Sequence, residues 1–166
     1  MQKEREESPF QVAFKQEELC KKCRFCETWI ACPGIKSCTG CRSCIVACPH
    51  EARKLIPDKR ERGQVRIKVE RETYFVPERI TVLKALEMIS YRFSLFPEKD
   101  TIFAPCRTGG CWSCAVEIDG KLKPSCITPI RENMNIKITQ VERSNSPRLV
   151  RGFSGHPVGG VDTKML

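Results

Sequence analysis

The chain has 166 residues, 40% of them hydrophobic and 30% charged, with a formal net charge of +9 and twelve cysteines. That length suits one ordinary domain or two small ones, and no window approaches the roughly 18–20 apolar residues of a membrane span. The opening Met1-Gln2-Lys3-Glu4-Arg5-Glu6-Glu7-Ser8-Pro9 has no apolar core to act as a secretory signal, so a reducing cytoplasm is expected, where dense cysteine signals metal rather than disulfides.

Residues 1–16 are charged and irregular and are expected to form a mobile arm. Residues 17–57 hold eight cysteines: Cys20, Cys23, Cys26, Cys32, Cys38, Cys41, Cys44 and Cys48. Below about 40 residues a fold usually needs a metal or disulfides, so this segment is expected to depend on what its cysteines bind. Residues 58–63 are polar, end in Gly63 and read as a linker to a second domain at 64–142. There Val65, Ile67 and Val69 alternate with Arg66, Lys68 and Glu70, the period of a half-buried strand, and residues 73–76 can pair back on it. Thr81 is a helix N-cap candidate, after which Val82, Leu86, Ile89 and Phe93 give one apolar helical face. A loop follows with Cys106, Cys111 and Cys114, then a hairpin turning at Asp119-Gly120, Cys126, and a closing strand around Ile136 and Ile138. The order predicts an α+β fold. Residues 143–166 are rich in Gly, Pro, Ser and Arg, lack periodicity and read as an extended tail.

Cys38-x2-Cys41-x2-Cys44-x3-Cys48-Pro49 has the spacing of the bacterial dicluster ferredoxins, and Cys20-x2-Cys23-x2-Cys26 followed by Cys32-Pro33 is a second copy of it. The segment resembles that family over about 30 residues. The resemblance implies two [4Fe–4S] clusters, one on Cys20, Cys23, Cys26 and Cys48 and the other on Cys32, Cys38, Cys41 and Cys44. The first copy has five residues between Cys26 and Cys32, and only five separate Cys32 from Cys38, where the family fits a helix and a hairpin. Local ligation by Cys20, Cys23, Cys26 and Cys32 therefore stays open. Zinc is the chemical rival, but its sites use pairs of Cys-x2-Cys units rather than triples.

Cys106-x4-Cys111-x2-Cys114-x11-Cys126 departs from the plant-type [2Fe–2S] pattern only in its shorter last interval. The loop Cys106-Arg107-Thr108-Gly109-Gly110-Cys111-Trp112-Ser113-Cys114 resembles that of the succinate dehydrogenase and fumarate reductase iron–sulfur subunit. Over 64–141 that resemblance implies a β-grasp domain holding one [2Fe–2S] cluster, after a compact ferredoxin-like cluster-binding segment. Eight and four cysteines are the ligands of two [4Fe–4S] clusters and one [2Fe–2S] cluster, with none left over. Gly109 and Gly110 are expected to take the backbone angles that turn amides toward the cluster. Trp112 stands where the family has glycine, to shield the cluster or to pack on the neighbouring domain. Arg107 is expected to serve as a docking cation or as a cap on the loop. In the respiratory subunits the [2Fe–2S] domain comes first; the reversed order here points to a separate carrier built of the same parts.

Each cluster on four thiolates carries about −2, so three of them bring the charge to about +3. Between Arg53 and Glu72, eight cations face four acids. Such a run is a solvated face or a docking surface for an acidic redox partner. Nucleic-acid binding is not expected, because aromatic residues are not interleaved with the basic ones. The glycine pairs Gly109-Gly110 and Gly159-Gly160 do not open a nucleotide loop, and His50 and His156 lie far apart. No nucleophile–base pair or flavin fingerprint is present, so no catalytic residue is expected.

The function expected is electron relay, with low-potential [4Fe–4S] chemistry suited to an anaerobe and a larger oxidoreductase as partner. The alternative is an accessory subunit that feeds electrons to, or activates, a large enzyme on which it is docked by its tail. The segment Arg148-Leu149-Val150-Arg151-Gly152-Phe153-Ser154-Gly155-His156-Pro157 carries apolar residues that need a surface, and the tail is faintly similar to lead-in segments of some radical-enzyme proteins.

Overall fold

The computed structural model describes residues 10–30, 32 and 34–139. The first nine residues of the expected arm, Pro33 and the 143–166 tail lie outside them. The described chain has three sheets and three short α-helices, as an α+β fold requires.

The larger sheet begins with the expected hairpin, β3 (Gln64–Val69) against β4 (Glu72–Pro77). Ile67 and Val69 point into the core while Arg66 and Lys68 face out, because successive side chains of a strand alternate between faces. β7 (Ala115–Ile118) and β8 (Lys121–Pro124) form the second hairpin through Asp119-Gly120, both with positive φ. β9 (Met134–Lys137) joins the two, parallel to β3 and antiparallel to β7, giving the order β4-β3-β9-β7-β8. Helix α3 (Val82–Met88) lays Val82, Leu83, Ala85 and Leu86 into the same core as Ile67, Val116, Ile118 and Ile136. Each fully buried Val, Leu or Ile contributes about 1.5–3 kcal/mol, so this core is the larger apolar contribution to the fold.

Thr81 caps α3 as expected, its hydroxyl accepting from the Lys84 N–H at 3.2 Å. The helix is shorter than its periodicity suggests. Ser90 turns left-handed at φ 77, and the N–H groups of Ser90 and Tyr91 close on the carbonyls of Glu87 and Leu86. This is a Schellman ending, which satisfies the last carbonyls and stops the helix. Phe93 therefore belongs to β5 (Phe93–Ser94), paired in parallel with β6 (Ile102–Phe103), and not to the helix face.

The cysteine-rich part differs from expectation at both ends. Residues 11–15, assigned to the arm, form β1 (Gln11–Lys15), antiparallel to β2 (Arg53–Pro57). Val12 and Ala13 are buried there beside Cys38 and Cys44. Five residues are too short a run for that burial to show as periodicity. Residues 58–63, assigned to a linker, are anchored instead: Asp58 is 4% exposed and bonded to Arg60 and Arg62. Its side chain cannot be read as buried from a polar sequence.

Candidate metal centres

The two cysteine triples share one backbone path. In the first, Lys22 and Arg24 flank Cys23 with φ of 54 and 59; in the second, Gly40 and Arg42 flank Cys41 with φ of 71 and 66. A four-residue helix then starts in each, α1 (Phe25–Thr28) and α2 (Ser43–Val46), carrying Cys26 and Cys44. Left-handed backbone costs a non-glycine residue about 1–2 kcal/mol, and strain repeated at matching positions marks a functional loop. A glycine is required at 40 on a second count, since a Cβ there would lie 2.5 Å from the Gln11 carbonyl oxygen. The sequence signal for this repeat is an arginine directly after the second cysteine of each triple, which spacing rules for cysteine alone pass over.

The fold gathers the eight thiols around β1, β2 and the two short helices. Cys20, Cys23, Cys26 and Cys48 line one pocket, with Arg53 and an exposed His50 at its wall. Cys48 is brought there by the turn before β2, and its sulfur accepts from the Ala52 N–H at 3.4 Å. Cys38 and Cys44 are buried against β1, with Cys32 and also Cys26 packed on that small core. Burial pushes the Cys44 thiol up to about 12, and the neighbouring charges of Cys32, Cys41 and Cys38 add to it. The Ala13 N–H donates to Cys38 Sγ at 3.3 Å.

Cys106, Cys111, Cys114 and Cys126 form the third set. The N–H groups of Thr108 and Cys111 point at Cys106 Sγ at 3.5 and 3.4 Å, and that of Gly109 at Cys126 Sγ at 3.2 Å. Burial opposes the Cys106 thiolate, but these amides hold its thiol down to about 7. A hydrogen bond between the Cys114 and Cys126 thiols lowers Cys114 to about 6 and raises Cys126, whose burial adds to the rise. Gly109 takes the expected left-handed angle, φ 86, and a Cβ there would meet Ile127 Cδ1 at 2.6 Å. Gly110 does not; the other left-handed residues of the loop are Arg107 and Trp112, at φ 50 and 58. Trp112 is 52% exposed. Arg107 Nη1 reaches Glu87 Oε1 at 3.3 Å and ties the loop to α3.

The three sets are joined by side chains. Arg53 Nη2 donates to Cys26 Sγ at 3.0 Å while its charge is felt at Cys44 and Cys32. Ser43 Oγ, between Cys41 and Cys44, donates to the Thr108 carbonyl at 3.0 Å, between Cys106 and Cys111. Phe10 packs on the core of the larger sheet, under the Arg62 guanidinium at 4.3 Å. The basic run is thus partly engaged inside the molecule: Arg53 on Cys26, Arg60 and Arg62 on Asp58, Arg66 on Asn133.

These donors fit iron–sulfur clusters. All twelve cysteines are free thiols, sulfur is the soft donor such clusters take, and amide N–H groups aimed at sulfur stabilise thiolates. Crowded thiols that raise one another's pKa need cationic iron between them to ionise together. Among the described residues, no three His, Cys, Asp or Glu side chains close tightly enough for a single metal ion. Among the described residues, no helix is long and apolar enough to cross a membrane.

Comparison with known proteins gives the class. A model of a 2Fe-2S iron-sulfur cluster binding domain matches residues 62–141, and a model of a 4Fe-4S binding domain matches residues 36–54. The chain thus carries segments similar to both kinds of iron–sulfur cluster-binding domain, and an electron-transfer role is what such segments support. The second match spans the second cysteine triple and stops short of the first. Among curated proteins, the chain is 43% identical over 67 residues to an uncharacterized iron-sulfur protein of Methanocaldococcus jannaschii, over 40% of this chain and 13% of that one. It is 39% identical over 62 residues to an uncharacterized iron-sulfur protein of Methanococcus maripaludis, over 37% of this chain and 12% of that one. The chain thus spans about an eighth of the length of these relatives.

Proposed function

We propose that this chain is a three-cluster electron relay serving a larger oxidoreductase. In this reading Cys20, Cys23, Cys26 and Cys48 hold one [4Fe–4S] cluster, and Cys32, Cys38, Cys41 and Cys44 hold a second. Cys106, Cys111, Cys114 and Cys126 hold a [2Fe–2S] cluster on a β-grasp domain of about 64–142, for which the mixed five-stranded sheet with one packed helix speaks. The observation that carries the reading is the place of Cys48, which shares a pocket with the first triple, while Cys32 packs on Cys38 and Cys44, where Cys26 also touches. Bound, such clusters take up and release single electrons. The chain's own residues hold the sets in sequence, Arg53 between the first and second and Ser43 between the second and third. An acidic partner suits the Lys21 and Lys22 rim of the first pocket.

Protein purified without oxygen and reduced in steps is expected to contain about ten irons per chain, with separable [4Fe–4S] and [2Fe–2S] EPR signals. About two irons, with zinc in the amino-terminal half, would overturn the relay. Docking by the 143–166 tail on the larger enzyme is part of the same proposal. Deleting those residues is expected to abolish co-purification with that enzyme and leave the iron content unchanged; undiminished co-purification refutes it.

A further inference from the structure

Arg53 is the first residue of β2, five positions beyond Cys48 and paired with Lys15 across the small sheet. It is half-buried and lines the pocket of the first thiol set. Its Nη2 donates to Cys26 Sγ at 3.0 Å, a charge-assisted bond to a ligand sulfur of that set. Cys26 itself packs on the small core of Cys38 and Cys44, against which Cys32 also lies, so the guanidinium's charge acts on thiols of the second set as well. Lys15, the cation opposite, is engaged by Glu17 at 2.7 Å. Arginine does not lose its proton in a protein, so the charge between the two sets is permanent.

A fixed cation beside a redox centre favours the form with one more electron, and a hydrogen bond to a ligand sulfur acts in the same direction. Both effects fall on the first set, while only the field reaches the second. Resting on the cluster assignment above, we propose that Arg53 is a positioning residue that raises the reduction potentials of both [4Fe–4S] clusters and sets the first above the second. An electron delivered to the pair then settles on the Cys20 set, next to the exposed Cys23 at the rim. The step is one-electron reduction by an external donor. No bond is made or broken, and Arg53 keeps its proton.

The test is stepwise reduction of the full chain with dithionite, followed by EPR, for the native protein, Arg53→Gln and Arg53→Lys, each with iron counted. Arg53→Gln is expected to lower one [4Fe–4S] midpoint by at least a tenfold change in its reduction equilibrium, which is about 59 mV for one electron. The other [4Fe–4S] midpoint should fall by less, and the [2Fe–2S] midpoint should stay where it was. Arg53→Lys keeps the charge but not the planar fork, so only the first midpoint should fall. If Arg53→Gln fails to hold iron, the lysine variant alone decides. Full iron with unmoved midpoints overturns the role of Arg53 and leaves the relay intact. About six irons in the native chain, with one [4Fe–4S] signal, would instead defeat the cluster assignment on which it rests.

Discussion

Cys48→Ala is expected to remove about four irons from the Cys20 set, although Cys48 stands only four positions from Cys44 and twenty-two from Cys26. Its sulfur faces the pocket of Cys20, Cys23 and Cys26, and its own turn fixes it there through the Ala52 N–H. Pairs of substitutions separate crossed from local ligation. Cys48→Ala with Cys20→Ala should lose about four irons, no more than either alone, because both ligate one cluster. Cys48→Ala with Cys44→Ala should lose about eight. The reverse pattern, measured as iron and sulfide per chain, would establish local ligation. Loss of both clusters in the Cys48→Ala, Cys44→Ala double variant should also unfold the region around β1. Its buried core is little more than Val12, Ala13, Cys38 and Cys44, so the cluster must supply much of its folding free energy.

Asp58→Ala is expected to be the most damaging change outside the cysteines, at about 3–5 kcal/mol. The carboxylate receives Arg60 Nε at 2.7 Å and Arg62 Nη2 at 2.6 Å. Arg60 goes on to the carbonyls of Ile35 and Lys36, beside the second thiol set. Arg62, 6% exposed, goes on to the carbonyls of Glu78 and Arg79, at the edge of the larger sheet. Removing Asp58 leaves the Arg62 charge buried without its counter-charge and takes away the carboxylate that links the two parts. The bond with Arg60 holds the Asp58 pKa down to about 2, against an ordinary 3.8. A depressed carboxylate pKa adds stability above the unfolded value, and that stability is lost as pH falls through the folded one. About 2 kcal/mol should therefore be present at pH 5 and disappear between about pH 4 and pH 2. Urea midpoints of native protein and Asp58→Ala across that range should converge toward acid; a constant gap would show that the pair carries no such linkage.

Legibility differed from element to element. The β3–β4 hairpin, the Thr81 cap and the Asp119-Gly120 turn follow from rules that act over a few residues, and the fold has them where the residues put them. α3 was overextended because Ile89 and Phe93 continue the apolar period. A left-handed ending at Ser90 is a backbone event, and serine does not announce it as glycine would. β1 was invisible for another reason: its two buried residues answer to thiols more than twenty positions away, not to an alternating neighbour. In the third loop, Gly109 was legible as the backbone pivot. The positive φ of Trp112 and Arg107 was not, since neither residue favours that conformation.

The sequence by itself determined the chemistry. Cysteines at these intervals point to the kinds of cofactor that the family models also match, because local reach is set by residue type and spacing. The contacts between distant thiols and side chains come from the tertiary structure alone. Placing Cys48 with the first triple, Arg53 between two sets and Ser43 against the Thr108 carbonyl depends on contacts across 22, 27 and 65 positions. Such contacts arise from closing the β1–β2 pair and seating Phe10 and Asp58 against the larger sheet, and no periodicity in the chain encodes them.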